Sequence, residues 1–104
     1  MKPLASIAPA PVSTVRPSIT CVVPAYNEAG GIARFLGGLC SHLAALTEQY
    51  DVIVVDDGSR DGTGLEVIAA SGGLPVRLLS LSRNFGKEAA ISAGLDEATG
   101  GVVV

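Results

Sequence analysis

Three clusters of polar residues each follow a run of aliphatic ones. Pro24-Ala25-Tyr26-Asn27-Glu28 follows Ile19–Val23, Asp56-Asp57-Gly58-Ser59 follows Val52–Val55, and Ser82-Arg83-Asn84-Phe85-Gly86-Lys87 follows Val76–Leu81. Turn-forming residues are ordinary at such places; two adjacent carboxylates, an aromatic and a glutamate are not. Neighbouring side chains of a strand point to opposite faces, so Asp56 and Asp57 are expected to do different work, one facing a crevice and the other tying down a turn. A carboxylate is the matching acceptor for the ring N–H donors of uracil or guanine, the role expected of Asp56. Tyr26 can lie against a base or ribose, and Glu28 can accept from it. Arg83 and Lys87 are the one concentration of positive charge near a strand end. Lys87 also opens a helix, where unpaired N–H groups favour an anion such as a diphosphate. Plainer readings stand beside these: turn carboxylates, with Asp61 a third, a lid tyrosine, a first-turn glutamate favoured by the helix dipole, and a solvated helix end for Lys87.

The elements that must position these residues follow from periodicity. The β-branched run Ile19–Val23 reads as a strand stopped by Pro24. Asn27 is placed to cap a helix over about residues 29–48, whose Ile32, Phe35, Leu36, Leu39, Leu43 and Leu46 recur at gaps of three and four and should share one buried face. Val52–Val55 is a second strand. Thr63 and Glu66 form a capping box for a second helix, which Gly72-Gly73 ends. Val76–Leu81 is a third strand, Lys87–Ala98 a third helix closed by Gly100-Gly101, and Val102–Val104 opens a fourth strand. This β-α-β-α-β-α-β alternation predicts an α/β fold, a Rossmann-like parallel sheet of order 3-2-1-4 with flanking helices. Ligands of such sheets bind outside the carboxyl ends of the strands, where the three clusters lie.

Composition narrows the class. A net charge of −3 excludes a general nucleic-acid binder, and 48% hydrophobic residues exclude a disordered chain. No apolar run approaches the roughly 18 residues of a membrane span. Pro3, Pro9 and Pro11 interrupt the apolar stretch behind Lys2, so residues 1–16 read as a flexible Pro/Ala/Ser leader and 17–104 as one domain. Cys21 and Cys40 have neither metal nor scaffold spacing and read as buried thiols of a reducing compartment; His42 is a lone helix-edge residue. There is no G-x-G-x-x-G, no P-loop and no nucleophile elbow.

The three clusters resemble those of family 2 glycosyltransferases with the GT-A fold. Pro24–Glu28 is similar to their P-x-Y-N-E opening, and Val54–Thr63 to V-D-D-G-S-x-D-G-T. Leu81–Ala90 is similar to a signature of the branch that glycosylates polyprenyl phosphates, the dolichol-phosphate mannosyltransferase and bactoprenol glucosyltransferase relatives. The resemblance spans about residues 18–104. It implies a nucleotide-sugar pocket lined by Pro24, Tyr26 and Glu28, base contacts from Val54 and Asp56, with Asp57 beside them, and donor contacts from Arg83 and Lys87. It further implies a UDP- or GDP-sugar donor, a polyprenyl phosphate acceptor used in cell-wall or lipid glycosylation, and work at the cytoplasmic face of a membrane. Mg²⁺ or Mn²⁺ would be held in the family by an Asp-x-Asp after strand 4.

That Asp-x-Asp is expected beyond Val104, as is any membrane anchor. The 104 residues are therefore read as the amino-terminal, donor-binding piece of an inverting enzyme. Taken alone, the piece is expected to bind no metal, to contain no catalytic residue and to keep at most residual nucleotide affinity. A receiver-like signalling domain is the other class with an acidic pair at a strand end, but there the pair follows the first strand rather than the second.

Overall fold

A computed structural model of the chain describes residues 18–98 and, for their backbone, 102–103. The expected leader, the Gly100-Gly101 helix stop and Val104 lie outside the described residues. The elements run β1 Ile19–Ala25, α1 Ile32–Leu46, β2 Tyr50–Asp56, α2 Thr63–Ala70, a 3₁₀ turn Ser71–Gly73, β3 Val76–Ser80, α3 Lys87–Glu97 and β4 Val102–Val103. All strand pairs are parallel and the sheet order is β3-β2-β1-β4, the order expected from the sequence. The register brings Ala25 opposite Asp56 and Asp56 opposite Ser80, so the three polar clusters leave the sheet at one level.

Alternation along the strands divides the core. Cys21, Val52 and Val54 pack with Ile32, Leu36, Cys40 and Leu43 of α1 and Val67 of α2. Ile53 and Val55 face the other way and pack with Ala90 of α3. The third helix approaches the sheet through small residues. A Cβ at Gly94 would lie 2.4 Å from Val22 Cγ1, so only glycine lets the helix come this close.

Several boundaries differ from expectation, each for a local reason. β1 continues through Pro24 to Ala25; among the described residues β4 pairs only Ile19 and Thr20, so Pro24's missing N–H interrupts no ladder on that side. α1 begins at Ile32 rather than 29. Its buried stripe is Ile32, Leu36, Cys40 and Leu43, while Phe35 and Leu46 are more than half exposed. The helix lies on the sheet along a narrower line than the six apolar residues suggested. Cys21 and Cys40 are free, buried thiols in this core, and burial pushes both above the ordinary thiol value.

Candidate functional site

Asp56 is the last residue of β2. The residue is only 8% exposed, yet it borders a hollow of about 450 Å³ with Tyr26, Ser59, Arg83 and Asn84. The Ser59 N–H donates to Asp56 Oδ1 at 3.0 Å. The other oxygen, Oδ2, is approached by α2 where Gly64 stands; a Cβ there would be 3.2 Å from it.

Asp57 turns to the α3 side and does structural work. Its carboxylate accepts from the backbone N–H of Phe85 at 2.8 Å and of Gly86 at 3.0 Å, and from Asn84 Nδ2 at 3.2 Å. These donors lie just ahead of the first residue of α3, where negative charge is favoured by the helix dipole. Gly58 follows with φ +72°, and a Cβ on it would stand 2.2 Å from the Arg83 carbonyl carbon. The third loop thus rests directly on the backbone of the second, which no other residue type permits. Within that loop the Arg83 guanidinium sits 5.0 Å from the centre of the Phe85 ring.

The first loop is held by side chains from the turn after β2 and the start of α2. Asn27 N–H donates to Ser59 Oγ at 2.9 Å, and Asn27 Oδ1 accepts from Arg60 N–H at 2.9 Å. Asn27 itself is left-handed, with φ +53°, a region asparagine tolerates. Glu28 N–H donates to Thr63 Oγ1 at 2.9 Å and Ala29 N–H to Asp61 Oδ2 at 3.1 Å. The two Glu66 oxygens accept from Gly30 N–H at 2.6 Å and Ala33 N–H at 2.9 Å. The expected capping box is therefore not formed: Glu66 serves the start of α1 rather than that of α2, and Thr63 is already helical, its hydroxyl donating to Asp61. Asn27 likewise caps nothing. The hydrogen bond from Thr63 holds the Asp61 carboxyl below its ordinary value, with further help from backbone N–H groups. The Gly30 and Ala33 N–H groups do the same for Glu66.

A second hollow of about 460 Å³ adjoins the first and is bordered by Pro24, Tyr26, Glu28, Asp57, Asn84 and Lys87. Tyr26 and Asn84 belong to both. Seven of the eight residues singled out in the sequence thus border these two hollows. The exception is Val54, which has no exposed surface and packs in the α1/α2 core, so its side chain cannot touch a base. Asp57 borders its hollow, but its carboxylate is committed to the third loop. The two cations are divided, Arg83 beside Asp56 and Lys87 beside Glu28. Sequence reasoning passed over Asn84, Ser59 and Gly58 as binding or positioning residues. Their signal was present in the unbroken Asp-Asp-Gly-Ser run and the Arg-Asn pair, but each acts on a residue 25 or more positions away. Among the described residues no group of three His, Cys, Asp or Glu side chains could hold a metal ion. No helix among them is long and apolar enough to cross a membrane.

Comparison with known proteins agrees with this architecture. The model of the family "Glycosyl transferase family 2" matches residues 20–104. An undecaprenyl-phosphate 4-deoxy-4-formamido-L-arabinose transferase of Pseudomonas fluorescens is 39% identical over 88 residues, 83% of this chain and 26% of that protein. The structure of a mannosyltransferase from Pyrobaculum calidifontis in complex with GDP-Man and Mn²⁺ superposes with a TM-score of 0.76 at 33% identity, over 98% of this chain and 30% of that one. A glucosyl-3-phosphoglycerate synthase from Mycobacterium tuberculosis, in complex with Mn²⁺, UDP-Glc and phosphoglyceric acid, superposes with a TM-score of 0.65 at 28% identity, over 84% of this chain and 31% of that one. The chain spans about a quarter of the length of the curated relatives it matches. With its three loops meeting at one end of a 3-2-1-4 sheet and the family's model running through all of them, the chain belongs to glycosyl transferase family 2.

Proposed function

We propose that the paired hollows bind the nucleotide of a UDP- or GDP-sugar donor, and that the enzyme carrying them transfers the sugar with inversion to a polyprenyl phosphate. The observation that carries the reading is the Asp56 carboxylate, nearly buried yet bordering the first hollow, with Tyr26 and Arg83 on the same rim. A base lying there can donate a ring N–H to Asp56 while stacking beside Tyr26. Lys87, on the rim of the adjoining hollow, is the cation available to the diphosphate. The solved relatives with GDP-Man and with UDP-Glc support a nucleotide-sugar donor of either base. The undecaprenyl-phosphate transferase supports the lipid-phosphate acceptor.

In such a transfer an acceptor phosphate oxygen attacks the anomeric carbon, and the bond to the nucleoside diphosphate breaks from the opposite side. A divalent cation, when present in these enzymes, stabilises the leaving diphosphate. What this chain's own residues contribute is placement of the donor. A lipid-phosphate acceptor puts the reaction at a membrane surface, on the cytoplasmic side where nucleotide sugars are available.

Titration calorimetry of the chain with UDP and with GDP tests the reading. Asp56→Ala is expected to weaken binding of the preferred nucleotide by about tenfold or more, equivalent to about 1.4 kcal/mol. An unchanged affinity removes Asp56 from the base site.

A further inference from the structure

Four consecutive backbone N–H groups, those of Asn27, Glu28, Ala29 and Gly30, all donate to side chains of one segment, residues 59–66. The Ala33 N–H joins them on the second Glu66 oxygen. The loop's own backbone contributes later, when Glu28 O accepts from Gly31 and Ile32 N–H as α1 begins. The shape of the loop that bears Tyr26 and Glu28 is thus imposed from outside it. Two carboxylates, Asp61 and Glu66, take three of these five N–H groups, and neither residue borders either hollow.

We propose that Asp61 and Glu66 are positioning residues for nucleotide binding: they fix the backbone of residues 27–33 and so set where Tyr26 and Glu28 stand on the two rims. The proposal rests on the reading of the hollows as a nucleotide site. Its physical basis is that charge-assisted hydrogen bonds to backbone N–H groups are the strong, geometrically specific ones. A loop without them has few internal bonds with which to keep one conformation. Thr63 links Asp61 to the loop a second time, since its hydroxyl donates to Asp61 and accepts from Glu28 N–H. Neither carboxylate is buried in the core clusters, so their removal leaves the packing of α1 and α2 on the sheet intact.

Nucleotide affinity and amide hydrogen exchange, measured on the same variants of the chain, test this. Asp61→Ala and Glu66→Ala are each expected to weaken UDP or GDP binding about tenfold. Exchange at residues 27–33 should quicken while the amides of β2 stay protected. Glu66→Gln retains a carbonyl oxygen and should recover part of both effects, which also serves if an alanine variant fails to fold. Affinities equal to wild type, or loop exchange unchanged in the variants, would overturn the proposal. If the wild-type chain binds neither nucleotide, the reading of the hollows falls, and the exchange data alone then decide whether the two carboxylates hold the loop.

Discussion

Removing the Asp57 carboxylate leaves the N–H groups of Phe85 and Gly86 without their acceptor in a region where Asp57 is 3% exposed. Asp57→Ala is expected to cost about 1–3 kcal/mol of stability, read by denaturant titration. Gly58→Ala should cost a similar amount or more by another route. It places a Cβ against the backbone of Arg83 and forces an L-residue into the left-handed region at φ +72°. A midpoint unchanged in both variants would contradict the view that the second loop supports the third. Strand alternation was enough to say that Asp56 and Asp57 must separate, one to a crevice and one to a turn. It did not say that Asp57 would serve a loop 28 or 29 residues further on. Nor did it reveal that Val54, at the start of the motif, points into the core.

The elements themselves and their order were legible, because aliphatic runs, glycine stops and helical spacing are local signals. What crosses between elements was not. The Thr63-to-Glu66 spacing has the form of a capping box, but the carboxylate finds N–H groups 33 and 36 residues back in the chain instead. The stripe on α1 was read too wide for the same reason: spacing tells which residues share a face, and the sheet decides how much of that face is covered. This difference is measurable. Leu36→Ala, at a fully buried position, is expected to cost about 2–5 kcal/mol. Leu46→Ala, at a position 62% exposed, should stay within about 0.5 kcal/mol of wild type. Equal losses at the two positions would mean that α1 lies on the sheet along a different line.

At the level of the whole molecule, the links between loops make stability sensitive to acid. Asp61 and Glu66 both have carboxyls held below their ordinary values by hydrogen bonds to the ionised form. Their contribution is complete above about pH 4.5, the ordinary glutamate value, and is lost as the pH falls through the lowered folded-state values. Thermal midpoints followed downward in pH should therefore decline in this window, and more shallowly in Glu66→Gln; identical slopes would show that Glu66 carries none of the dependence. The way the 59–66 segment grips the first loop has one more consequence. It touches main-chain N–H groups, which every residue but proline possesses, and Asn27 is the only member of residues 27–30 whose side chain it engages. Form and chemical character are thereby uncoupled. The mould can stay constant while Tyr26, Glu28 and Ala29 are exchanged for others, so new ligand preferences can be tried on this scaffold without first re-solving how the loop folds.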